Sequence, residues 1–278
     1  MPSKAVLITG CSSGIGHATA QLLARDGWTV YATARKPETL ADLEADGCKT
    51  LALDVTDETS MSAAVNAVIA AEGAVGVLIN NAGYSQSGAV ESVPLDQVRR
   101  QFETNVFGLI RMCQLVLPGM RDQHWGRIVN LSSMGGRLTF PGGGLYHGSK
   151  YAVEAISDAL RFEVQGFGVE VIVIEPGLIV TNFGDTAAGS VGATAGPYAD
   201  FNREVARATE DVYRGPLAKL GAGPDAVAKA IAAALKSEHP KTRYPVTVSA
   251  HLMINQRRLM PDRLWDRVMR TQFPVPKP

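Results

Sequence analysis

The sequence predicts a single-domain, doubly wound α/β fold of the Rossmann type, a parallel sheet of about seven strands with helices on both faces. Three observations predict it. Short apolar runs rich in β-branched residues alternate with longer stretches of helical composition. The runs are apolar throughout rather than alternating, as strands buried on both faces must be. The first run leads straight into a glycine-rich turn and then a helix, and no linker, repeat or compositional break follows. A 278-residue chain with 46% hydrophobic and 19% charged residues can bury one large core.

In chain order, the apolar runs at 5–9, 29–33, 50–53, 77–79, 127–131, 170–174 and 244–248 are the expected strands. Pro37-Glu38 opens a helix, proline being suited to a first helical position. Further helices are expected over 58–72, 95–121, 146–167 and 225–236. Repeated strand–helix–strand order implies right-handed crossovers between parallel strands. Residues 184–196 are almost wholly small. Such a stretch buries little, which suits either a surface loop or a mobile cover over a site. Leu264, Trp265, Val268 and Met269 form an apolar stripe at helical spacing in a C-terminal helical tail over 251–272.

Charge narrows the partners. Lys+Arg and Asp+Glu both number 27, a formal net charge of zero, so nothing pulls the chain as a whole toward nucleic acid or an anionic membrane. Cys11, Cys48 and Cys113 are odd in number and widely spaced, which suggests neither a disulfide framework nor a zinc site and fits a reducing, cytoplasmic setting. The N-terminus enters a strand directly, without the apolar core of a signal peptide, and no apolar run reaches membrane-spanning length. The partner to expect is a small molecule.

Gly10, Gly14 and Gly16 form a G-x-x-x-G-x-G loop between the first strand and the first helix, with Ser12, Ser13 and Ile15 between them. Glycine lets the backbone turn tightly and lets a pyrophosphate approach the amide-rich, positive end of a helix. The spacing differs from the commoner G-x-G-x-x-G, and the loop lacks the Gly-Lys-Ser/Thr ending of a nucleoside-triphosphate loop. In a dinucleotide fold the end of the second strand faces the adenosine ribose, where an acid selects NAD. Here Ala34 is followed by Arg35 and Lys36, two cations suited to the 2′-phosphate of NADP. NADP(H) is the expected cofactor, with NAD(H) the lesser alternative.

The motifs then fall into one pattern. TGCSSGIG, Asp54-Val55, NNAG at 80–83, Asn105, NLSS at 130–133, YHGSK at 146–150 and PGLIVT at 176–181 stand in the order and spacing of the short-chain dehydrogenases/reductases, which this chain resembles over residues 4–236. Val30–Glu38 and the C-terminal segment are similar to the hydroxysteroid dehydrogenase-like branch. The resemblance implies a hydride transfer between NADP(H) and a carbonyl or secondary alcohol on an apolar substrate. It makes Tyr146 the proton-transfer residue, Lys150 its charge partner and a ribose ligand, Ser133 the holder of the substrate oxygen, and Asn105 the anchor of a water linking Lys150 to solvent. It places Asp54 and Val55 at the adenine. Asn81, Ala82 and Gly83 would line the cofactor channel. Pro176, Gly177, Ile179 and Thr181 would lie at the nicotinamide. It makes residues 182–215 a mobile substrate lid and the protein a homodimer or homotetramer. Physics agrees on one point: residues four apart share a helix face, and an ammonium beside a phenol lowers a pKa otherwise near 10. Two other functions remain open, a non-catalytic NADP-binding regulator and an epimerase or dehydratase. The intact set of four argues against the first, and the loop spacing against the second.

Overall fold

The computed structural model describes residues 1–181, 183–191, 196–214 and 220–276, without the side chains of Asp185, Ala188 and Arg214. Seven strands form one parallel sheet: β1 (Val6–Ile8), β2 (Val30–Ala34), β3 (Lys49–Ala52), β4 (Val77–Asn80), β5 (Gly126–Leu131), β6 (Val169–Pro176) and β7 (Arg243–Val246). Their spatial order is β3-β2-β1-β4-β5-β6-β7. The seven expected runs are these seven strands, shifted at their ends by at most two residues.

The burial of the central strands has the predicted cause, whereas the edge strands β3 and β7, KTLA and RYPV, are only partly buried because each has a neighbour on one side alone. In β1, Val6 and Ile8 join a core with Leu23, Val30, Ile79, Ile172 and Ile231 on one face of the sheet. Leu7, between them, joins Leu78, Met112, Ile128 and Val153 on the other. The first face is covered by α1 (Gly14–Arg25), the short α2 (Ala41–Ala45) and α9 (Pro224–Lys236). The second is covered by α3 (Glu58–Glu72), by α5 (Gly108–Asp122), into which α4 (Leu95–Phe102) leads, and by α6 (Gly144–Val164).

Three elements differ from expectation. Residues 37–40 form a 3-10 turn before α2. The helix expected over 95–121 is interrupted by a π turn, Glu103–Phe107, which holds Asn105. The extra residue per turn rotates the two halves relative to each other, and such bulges occur mostly at functional sites. The small-residue stretch is partly helical: α7 (Phe183–Gly189) is followed by α8 (Ala199–Arg214), and 192–195 lie outside the described residues. Both helices are tied to the loop after β4. The Ser87 N–H donates to Ser190 Oγ (3.0 Å), the Ala89 N–H to Asn202 Oδ1 (2.9 Å), and Tyr198 Oη to Glu91 (2.8 Å). The chain ends in α10 (Val248–Leu259) and α11 (Asp262–Arg270). In α11, Trp265 and Met269 are buried against Leu138 while Leu264 stays exposed. No helix of the described residues is long and apolar enough to cross a membrane.

Buried amides couple the sheet to α6. Asn80 Nδ2 on β4 donates to Asn130 Oδ1 on β5 (2.9 Å), and Asn130 Nδ2 donates to Ser157 Oγ on α6 (2.9 Å). Asn130 is fully buried. Asn130→Ala should lower unfolding stability by about 1–3 kcal/mol, because the orphaned groups of Asn80 and Ser157 cannot reach water. Urea denaturation of the two proteins measures it.

Candidate active site

The C-terminal ends of β1, β4, β5 and β6 place the motif residues along one edge of the sheet. The sheet order reverses between β1 and β4, and ligands of open α/β sheets bind at that switch point. Gly10 follows β1 with φ +73°, a left-handed conformation that favours glycine. A side chain there would come within 3.0 Å of Ala82 Cα. Gly16, at the start of α1, leaves no room either: a Cβ would lie 2.4 Å from both Asn81 Nδ2 and Gly10 O. Asn81 therefore closes the turn, donating from Nδ2 to Thr9 O and Gly10 O, both at 2.9 Å. Thr9 Oγ1 accepts from the N–H groups of Asn81 and Ala82, each at 3.0 Å. Thr9 is a positioning residue that the motif reading missed, since a strand threonine carries no signal of its own.

The turn leaves a cradle at the head of α1. Ser13 is its N-cap, makes no side-chain cap bond, and is exposed together with Ser12. Gly14 has φ +61° and faces the Thr181 methyl. Ile15 packs on the core. At the end of β2, Arg35 and Lys36 are exposed, and neither forms an ion pair with a described residue. Asp54 Oδ1 holds its own turn by accepting from Thr56 N (2.9 Å) and Oγ1 (2.8 Å), and Val55 is buried beneath it.

On the β6 side, Pro176 ends the strand. Gly177 has a packing reason to be glycine: a Cβ would lie 2.3 Å from Thr247 Oγ1 and 2.5 Å from Ser249 Oγ at the head of α10. Ile179 pairs in parallel with Ala222 through the neighbouring groups, the Val180 N–H donating to Ala222 O and the Ala222 N–H to Leu178 O. That pairing leaves the backbone N–H and C=O of Ile179 itself turned the other way. Thr181 Oγ1 accepts from the Phe183 N–H (3.2 Å).

Ser133, Tyr146, Lys150 and Asn105 are brought together. Ser133 follows β5, accepts from the Gly135 N–H (3.0 Å), and is hydrogen-bonded to Tyr146. Lys150 is buried, and its Nζ donates to Leu131 O (2.7 Å), 5.9 Å from the centroid of the Tyr146 ring. Asn105 accepts from the Tyr84 N–H (3.1 Å) and donates from Nδ2 to Tyr84 O (3.0 Å) and to Ser149 Oγ (3.1 Å). Gly83 fills the space between: a Cβ there would lie 3.1 Å from Asn105 Oδ1 and 3.7 Å from Lys150 Nζ. His147 packs against the turn after β5, with its ring edge-on to the Tyr146 ring at 5.6 Å. Its Nδ1 faces Gly135 O (3.0 Å), and burial pushes it down to about 4, so it is neutral and donates that bond.

The electrostatics differ from the simple expectation for a tyrosine beside a lysine. Burial pushes the Tyr146 phenol up, the bond to Ser133 opposes this, and the nearby phenol of Tyr213 pushes it further up. Desolvation outweighs the ammonium, which is aimed at Leu131 O. Tyr146 is thus a neutral phenol at pH 7, the form that donates a proton. Burial pulls Lys150 down to about 8, partly offset by Glu154. The ring of Phe183 in α7 lies 5.6 Å from the Tyr146 ring, tilted to it by 58°.

The family model for short chain dehydrogenase matches residues 4–189. The chain belongs to the short-chain dehydrogenase/reductase family. Over 267 residues, 96% of this chain and 94% of the relative, it is 37% identical to the uncharacterized oxidoreductase YbbO of Escherichia coli (strain K12). It is 34% identical over 271 residues, 94% of each chain, to an NADPH-dependent 3-dehydrocapnine reductase of Ornithobacterium rhinotracheale. A crystal structure of a short-chain dehydrogenase from Streptomyces avermitilis superimposes with a TM-score of 0.78 at 35% identity, covering 97% of this chain and 98% of that one.

The depressed Lys150 fixes the sign of a pH effect in this short-chain dehydrogenase. Below about 8 the native and unfolded states both hold the proton, and the native state bears the full cost of the buried charge. Between about 8 and the ordinary 10.5 the native state has released it and the unfolded state has not, so stability rises with pH. Lys150→Met should therefore be more stable than the wild type at pH 7 by on the order of 2 kcal/mol, with the gap closing by pH 10. Urea midpoints at both pH values test this; parallel pH profiles would contradict it.

Proposed function

We propose that this protein is an NADP(H)-dependent oxidoreductase that interconverts a carbonyl and a secondary alcohol on an apolar, hydroxysteroid dehydrogenase-like substrate. The convergence of Ser133, Tyr146, Lys150 and Asn105 at the end of β5 carries the reading. The cradle of Gly10, Gly14 and Gly16 at the head of α1 fits a pyrophosphate. The cations Arg35 and Lys36, without an ion-pair partner among the described residues, fit a 2′-phosphate, and a relative over nearly the full chain is named NADPH-dependent. Asp54 and Val55 would hold the adenine, Asn81, Ala82 and Gly83 the channel, and Ile179 and Thr181 the carboxamide.

NADPH, when bound, supplies the hydride that goes to the carbonyl carbon. Everything else falls to the chain. Ser133 Oγ donates a hydrogen bond to the carbonyl oxygen, and Tyr146 passes its phenolic proton to that oxygen as charge develops there. Lys150 stabilises the phenolate left behind and restores its proton. The Asn105 carboxamide, held by Tyr84 and Ser149, would anchor the water that links Lys150 to solvent. Helices α7 and α8 form the lid, with Phe183 on Tyr146. The exposed Phe107, Tyr151 and Phe162 give the α5–α6 face the apolar surface that a homo-oligomer would cover.

The test is NADPH oxidation against a panel of ketones and aldehydes that includes bulky apolar ones. With the best of them, Tyr146→Phe should reduce turnover by roughly 10²–10⁴-fold. Fluorescence titration should show NADPH binding preserved, because the ring and the glycine turn are untouched. More than a tenth of wild-type turnover, with chemistry limiting, would refute the mechanism and favour the regulator reading. Arg35→Asp should shift the ratio of NADPH to NADH affinities toward NADH by about tenfold or more, since it removes a charge-assisted phosphate contact and adds a like charge. Equal affinities in the wild type would overturn the cofactor assignment.

A further inference from the structure

Resting on the reductase reading above, we propose that Gln101 is a positioning residue: its carboxamide fixes the segment 84–89 as the seat of the lid, and so sets where α7 holds Phe183 beside Tyr146.

Residues 85–89, in the loop after β4, are buried yet belong to no helix or strand. A buried backbone without a ladder must find its hydrogen-bond partners elsewhere. The residue that α4 buries is Gln101, and it is fully inaccessible. Its Nε2 donates to Tyr84 O (2.8 Å), and its Oε1 accepts from the Gln86 N–H (2.6 Å). One side chain thus stands in for a neighbouring strand across residues 84–86. A leucine of similar size would leave the Gln86 N–H without its acceptor, out of reach of water, and Tyr84 O with one donor in place of two.

The clamp has the site on one side and the lid on the other. Tyr84 O also accepts from Asn105 Nδ2 (3.0 Å), and the Tyr84 N–H donates to Asn105 Oδ1 (3.1 Å). Toward the lid, Gln86 Nε2 donates to Ser190 O, one residue past the end of α7. The Ser87 N–H donates to Ser190 Oγ (3.0 Å), and the Ala89 N–H to Asn202 Oδ1 of α8 (2.9 Å). Helix α7 begins at Phe183, whose ring lies 5.6 Å from that of Tyr146. The polar contacts of the lid therefore land on the segment whose backbone Gln101 fixes, and Gln101 acts on the reacting end through Gln86 and Ser190. A segment held by a few polar contacts opens at a free energy set by those contacts.

The experiment digests wild type, Gln101→Leu, Ser190→Ala and the double variant with dilute trypsin at saturating NADPH. Mass spectrometry follows cleavage at Arg203 and Arg207, both exposed on α8. Cleavage within a helix reports how often it opens. Each single variant is expected to be cut about tenfold faster than wild type, the effect of one lost buried hydrogen bond. The double variant is expected to be cut no faster than the faster single one, because both changes release the same seat. With a bulky apolar ketone, KM in Gln101→Leu should rise about tenfold while kcat falls less, and NADPH affinity should not change. Gln101→Asn, one carbon too short to reach both Tyr84 and Gln86, takes the place of Gln101→Leu if the latter does not fold. Wild-type cleavage rates in the Gln101 variant, an unchanged KM, or accelerations that multiply in the double variant overturn the role of Gln101 and leave the reductase reading standing. Failure of the wild type to oxidise NADPH with any carbonyl compound overturns the reductase reading, and this proposal with it.

Discussion

A buried ammonium is the constraint on which the rest of the site depends. Lys150 is almost completely inaccessible, and its described acceptor is one backbone oxygen, that of Leu131. Such a group is unfavourable unless its surroundings hold it in place. The holding is done by α6. Ser157 ties that helix to Asn130 and so to β4 and β5, His147 ties its first turn to Gly135, and Ser149 ties it to Asn105 in the π turn. Each tie is a buried polar bond, and each comes from a different element. The helix cannot slide or roll without orphaning one of them. Tyr146, one turn before Lys150, inherits that rigidity.

The same edge shows why the fold can present a second, independent half-site. The strand order reverses between β1 and β4, so the turns after those strands diverge and leave a crevice. Gly10 and Gly16 admit the Asn81 carboxamide into the turn, and the amides at the head of α1 stay uncapped by side chains. Helix dipole, free amides and the Arg35–Lys36 pair give this region its local positive character in a chain that is neutral overall. The proposed phosphate cradle and the proposed proton-transfer group thus lie at the turns of one sheet edge.

Above that edge the construction changes. Helices α7 and α8 are held to the loop after β4 by a few polar contacts, those of Ser190, Asn202 and Tyr198, and by Val205 packed at Gly142. Few of their residues join the two main cores. Segments of this kind open at lower free energy than the sheet does, and covers over active sites come from that class. Gly184 leaves room for the Tyr213 ring against the helix that brings Phe183 to Tyr146.

The sequence by itself determined the parallel sheet, because strands covered on both faces have to be apolar at every position, and Val6, Leu7 and Ile8 already show it. It determined the glycine turn and the motif residues in order, because a left-handed φ at Gly10 and a four-residue spacing from Tyr146 to Lys150 are local properties. Only the tertiary structure decided the rest. The π turn at Asn105 has no signature in composition, being a register shift that pays off only once Tyr84 and Ser149 are in place. Thr9 carries no motif, and its partners lie more than 70 residues away. The protonation of Tyr146 was likewise beyond reach. A neighbouring lysine suggests a lowered pKa, but burial decides the sign, and burial is a property of everything packed around the phenol rather than of its neighbours in the chain.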